Sequence, residues 1–205
     1  MIRNLEELHG KLALANILTS VWLGDWDRYE EIFNDMPNEI RIHFPFHKYY
    51  DREEVMLWHE NHFSIPGDYF VSPYFSSYGK REGEEEDDRK QDLLCLIGLF
   101  EKTGFYYPLE KERYPDHLGC LTAFLSSVLL EQIKSAERND HQYLGRLINF
   151  EMQIAKDYIA PVLPALLDKA NEKISNLFLK EFLNFYFQAI RNDWIEAGAM
   201  KIISP

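Results

Sequence analysis

Cysteine is scarce in this chain: among 205 residues there are two, Cys95 and Cys120. Neither belongs to a CxxC pair, which argues against a disulfide framework or a zinc knuckle. Both stand in apolar runs (LLCLIG and HLGCLTAFL), so both are expected to be buried, reduced thiols. Positive charge is also short. Lys and Arg number 22 against 34 Asp and Glu, a formal balance of −12. No Lys/Arg-rich block offers a basic face to phosphate, so no nucleic-acid partner is expected, and no electrostatic docking on anionic lipid. A partner carrying positive charge would be attracted instead. Long hydrophobic runs are missing too. Stretches such as LTAFLSSVLL are about half the ~20 residues a bilayer span requires. The first residues, MIRNLEELHGKLALANILTSVWLG, are amphipathic and lack the clean apolar core of a secretory signal. The expectation is a soluble, cytoplasmic protein with no stable membrane insertion. Phosphate loops of the GxxxxGK[ST] or GxGxxG kind and a GxSxG nucleophile elbow are likewise absent.

What the chain has in quantity is aromatic residues, 15% of the total, with few glycines to interrupt their packing. Hydrophobic residues make up 46%, a folded composition with enough chain for one domain. The dominant period is helical. Leu5, Leu8, Leu12, Ala15 and Thr19 form one stripe, and Leu118, Leu121, Leu125, Val128 and Leu129 the cleanest one. Leu93–Phe100, Leu144–Met152 and Phe178–Ala189 repeat the i, i+3, i+4, i+7 spacing of a helix burying one face. The fold expected is all-α, a bundle of about nine helices near 3–23, 26–34, 38–49, 51–63, 88–106, 116–138, 140–158, 161–170 and 174–194. A long non-helical stretch, SIPGDYFVSPYFSSYGKREGEEEDD, divides an N-terminal lobe (about 1–63) from a C-terminal lobe (about 89–205). Such a linker (about 64–88) inside a compact chain is usually functional or partly disordered. Its acidic end, Glu82 to Asp88, reads as a solvated run that also favours the start of the next helix.

Few residues suggest chemistry. His59 and His62 occur as HENH, without the i, i+4 spacing of a zinc protease helix and without an evident third ligand. His43 and His47 flank Pro45, which interrupts a regular helix. The segment Tyr114-Pro115-Asp116-His117-Leu118-Gly119-Cys120-Leu121 is more informative. As a helix start it explains Pro115 and makes Asp116 a natural cap. It does not explain His117, whose charged form the positive helix end disfavours, nor Gly119, a poor helix former in the first turn. The segment therefore reads equally as a cap and as a functional site. Asp116 and His117 could also be taken as a general acid/base pair, but neighbours on a helix point about 100° apart and no nucleophile accompanies them.

The run PDHLGCLTAFLSSVL resembles the signature of the TorD/DmsD/NarJ family of redox-enzyme maturation chaperones, which carry Pro-Asp-His followed by Leu-Gly and an apolar helix. Pro73-Tyr74-Phe75-Ser76-Ser77-Tyr78 looks like the family's linker upstream of that motif. Tyr158-Ile159-Ala160-Pro161-Val162-Leu163-Pro164 looks like its segment before the final, aromatic-rich helix. Tyr158 stands where the family often has His, Val162 where it often has Trp, and Phe75 where an acidic residue is common. The resemblance covers roughly residues 70–194. It implies a helical chaperone with no catalytic turnover and no cofactor, weak guanine-nucleotide binding aside. The implied partners are the twin-arginine signal peptide and the apo form of a molybdopterin-containing reductase subunit, held in the cytoplasm until the cofactor is inserted. The implied peptide-binding residues are Tyr74, Ser76, Tyr78, Pro115, Asp116 and His117. A general helical adaptor, or a nucleotide-responsive switch without signal-peptide preference, is the alternative.

Overall fold

The computed structural model describes residues 4–78, 86–106 and 114–196. Among these the chain is all-α, as the periodicity predicts, with no strand. Its helices are α1 (Leu5–Trp22), α2 (Trp26–Asp35), α3 (Asn38–Arg41), α4 (Arg52–His59), α5 (Glu86–Thr103), α6 (Leu118–Glu137), α7 (His141–Ile154), α8 (Leu163–Lys173) and α9 (Leu177–Ala189). Local chemistry sets most of the boundaries. Asn4, Asp25, Asp51, Asp140 and Asn176 each accept a backbone N–H three residues on, from Glu7, Arg28, Glu54, Tyr143 and Leu179. Three helices end on a left-handed residue: Gly24 after α1, Gly104 after α5 and Asn139 after α6. In each case the following N–H returns to a carbonyl five residues back, as in Asp25 to Ser20. Helices α4, α7 and α9 run on into wider π turns, Glu60–Ser64, Ala155–Ile159 and Ile190–Glu196.

The expected helix over 38–49 is not continuous. Helix stops at Arg41, and a 3-10 turn at His47–Tyr49 follows. Pro45 has no N–H and a fixed φ, so the intervening chain cannot stay helical. It instead inserts Phe44 and Phe46 beside Phe33, with Phe46 also edge-on to Phe178 and Phe182. The acidic run expected at Glu82–Asp88 lies outside the described residues as far as residue 85 and then enters the first turn of α5. Cys120 is buried as expected, but Cys95 is exposed, because α5 turns it away from the neighbours of Leu96.

One core draws on both sides of the linker, from Leu8 to Trp194. Helix α1 packs along α6, and α6 in turn along α7. Trp22, at the end of α1, is a hub. Phe63, Phe182 and Tyr186 surround it at ring-centroid distances of 5.3, 5.4 and 5.3 Å. The same core holds a buried ionic cluster. Lys11 Nζ lies 2.7 Å from Glu151 Oε1 and 4.7 Å from the centre of the Trp194 ring. Gln132 Nε2 donates to Glu151 Oε2 at 2.7 Å. Four elements (α1, α6, α7 and the last π turn) meet on these charges.

Candidate functional site

The linker and the Pro-Asp-His motif form one unit. The linker lies antiparallel to the motif, with a bridge between Tyr74 and His117. Leu118 N–H donates to Pro73 O (2.9 Å), and Phe75 N–H to Asp116 O (3.0 Å). The Asp116 carboxylate then accepts the N–H of Ser76, 40 residues earlier, at 3.1 Å. This clasp explains the start of α6. Its first N–H groups need partners, and Pro73 O supplies one from the linker.

His117 supplies another. It is the N-cap of α6, and its Nδ1 accepts the N–H of Gly119 at 2.9 Å. The reading of Asp116 as the cap is therefore corrected: capping falls one residue later, because the Asp116 carboxylate faces the linker. An accepting Nδ1 fixes the neutral imidazole with its proton on Nε2. Burial, with a smaller push from His59, lowers the pKa of His117 to about 3, consistent with that form. Trp22 and Tyr74 meet the ring edge-on at 6.4 and 5.2 Å.

Gly119 is explained by proximity. A Cβ there would lie 2.6 Å from Cδ2 and 2.8 Å from Cγ of Leu23, the residue that ends α1, and 2.9 Å from His117 Nδ1. Glycine lets the start of α6 touch the end of α1. The same corner holds His59, whose Nε2 lies 3.3 Å from Trp22 O and whose pKa burial depresses to about 4. His62 similarly places Nδ1 2.9 Å from Tyr69 O. Both rings of the HENH pair thus face backbone carbonyls, and among the described residues no group of three His, Cys, Asp or Glu side chains could hold a metal.

Five of the residues singled out in the sequence, Tyr74, Ser76, Pro115, Asp116 and His117, come together here. Asp116 and His117 are 3% and 4% exposed, so they form the floor rather than the surface. The surface is aromatic: Tyr114 is exposed and meets Tyr74 edge-on at 5.6 Å. Tyr78 closes the far end of the turn, donating its hydroxyl to Ser72 O at 2.6 Å beneath the Lys169 ammonium. Burial raises its pKa above that of an ordinary tyrosine. Tyr114 opens the segment quoted from the sequence but was given no role there, and Ser72 and Trp22 were passed over. Tyr114 adjoins the motif and could have been found from that alone, whereas Ser72 and Trp22 join it only through the fold.

No family model matches the chain, and no match was found among curated proteins or among solved structures.

Proposed function

We propose that this protein is a cytoplasmic chaperone that binds the basic-and-apolar signal segment of a redox enzyme subunit, in the manner of the TorD/DmsD/NarJ proteins its motif resembles. The observation that carries this reading is the docking of Pro73–Ser76 onto Asp116–Leu118. Two of the three segments that carry the resemblance, 40 residues apart in the chain, become one unit. Their polar groups are used on backbone: Asp116 on Ser76, His117 on Gly119. Groups so engaged suit a binding surface held in shape better than proton transfer. The client in this reading is the apo form of a molybdopterin-containing subunit with a twin-arginine signal, and the chaperone itself needs no cofactor. Among the described residues no helix is long and apolar enough to cross a membrane. The net charge of −12 suits a basic ligand.

In this reading Asp116 and His117 act by positioning. They hold the linker so that Tyr74 and Tyr114 present their rings to the apolar part of the peptide. The test is calorimetry with a twin-arginine peptide and a scrambled peptide of the same composition. A preference of at least about tenfold for the authentic order is expected, equivalent to ~1.4 kcal/mol. Equal affinities would mean a general adaptor and would overturn the reading.

A further inference from the structure

A carboxylate open to an incoming cation lies elsewhere in the fold. Between α4 and the start of α9 is a notch of about 240 Å³ walled by Tyr49, Glu54, Trp58, Asn176 and Leu177. Glu54 is exposed, and among the described residues no cation pairs with it. Asn176 is 7% exposed; its Nδ2 donates to Glu54 Oε1 at 3.2 Å, while its own Oδ1 caps α9. That arrangement fixes the carboxylate and leaves Oε2 for a ligand. Trp58 is half-buried and stacks on His62 through one face at 5.4 Å, which leaves its other face to attract a planar cation. The Tyr49 ring already carries a cation, Lys48 Nζ at 4.6 Å from its centre, so the ring left for an incoming guanidinium is that of Trp58. Beside the notch, Leu57 and Leu177 are 58% and 53% exposed. Leu57 lies three residues after Glu54, on the same flank of α4.

We propose that this notch receives the guanidinium of an arginine in a basic peptide, with the residue next to that arginine against Leu57 and Leu177 and the longer apolar part of the peptide left for the Tyr74–Tyr114 surface. Arginine fits better than lysine: its flat fork can pair with Glu54 Oε2 and stack on Trp58 at once. Charge complementarity and the adjoining apolar side chains define the occupant. The inference rests on the preceding reading for the identity of that peptide, the twin-arginine signal, though not for the chemistry of the notch.

The experiment titrates the protein with the twin-arginine peptide, its scrambled form, and a form with both arginines changed to lysine. Affinity is read by calorimetry and the notch by the Trp58 indole NMR signal. Trp22, Trp26 and Trp194 are buried, and Trp58→Leu identifies the signal by its loss. Wild type is expected to bind the arginine peptide with a shift at Trp58, and the lysine form at least about tenfold more weakly. Glu54→Gln retains an acceptor for Asn176. It should melt like wild type, lose about tenfold in affinity, and flatten the salt dependence of binding. If the twin-arginine peptide is preferred over its scrambled form but Glu54→Gln and Trp58→Leu bind as wild type does, the notch is overturned and the chaperone reading stands. If authentic and scrambled peptides bind equally and both lose affinity in Glu54→Gln, the notch stands and the twin-arginine reading falls. Binding of none overturns both.

Discussion

At the residue scale, two positions carry the start of α6, and each has its own test. His117 is neutral in the fold, with a pKa near 3, against an ordinary value of 6.5 in the unfolded chain. His59 is lowered from 6.5 to about 4 by the same cause, burial. In both cases the unfolded state takes up protons first as pH falls. Their contribution is therefore whole above pH 6.5 and is lost progressively below it, down to the folded values. Each histidine costs up to about 1.4 kcal/mol of stability per pH unit within its window. Urea melts between pH 7 and pH 5 should show this decline, and His117→Asn, which can still cap, should make it shallower. A decline of the same steepness in His117→Asn would mean His117 is not the titrating group. Gly119→Ala tests the close approach. Alanine gains about 1 kcal/mol in helix propensity, but its Cβ collides with Leu23, at a cost of roughly 1–3 kcal/mol. The variant is expected to melt earlier, and Leu23→Ala in the same chain should recover part of the loss, since contacting sites couple.

At the element scale, α1, α6 and α7 are joined by the buried Lys11–Glu151 pair, whose side chains are 8% and 1% exposed. Lys11→Met leaves Glu151 charged and buried, and should cost about 3–5 kcal/mol in denaturant unfolding. Replacing both by Met should cost markedly less than the single change, because no uncompensated charge remains. Equal losses would mean that packing, and not charge, dominates at this point. The helices themselves were largely legible in the sequence. The α6 stripe from Leu118 to Leu129 is buried throughout, because a 20-residue amphipathic pattern leaves little choice of face. The segment after Arg41 was not legible as drawn: its apolar residues keep a helix-like density while Pro45 forbids the helix. The residues of the candidate site could be named from the sequence, but not their geometry. Nothing in Asp116-His117 tells which of the two caps the helix. That is decided by a linker 40 residues upstream, which takes the Asp116 carboxylate. A longer separation, 96 residues, hides Gly119, whose partner Leu23 is the C-cap of the first helix.

At the scale of the whole molecule, the principal packing partner of α1 is α6, with about 95 residues between Trp22 and Leu118. The apolar face of α1, from Leu8 through Leu18 to Trp22, is buried in the finished protein. During synthesis it emerges long before its partner. At ~5–20 residues per second, roughly 6–23 s separate completion of α1 from completion of α6 at Glu137. Throughout that interval the nascent chain holds α1 without α6, with only earlier elements such as α2 to pack on it. Chains stalled near residue 100 should be degraded by a protease added in trans, and chains carrying all of the core through Trp194, held clear of the exit tunnel by a C-terminal spacer of about 35 residues, should resist it.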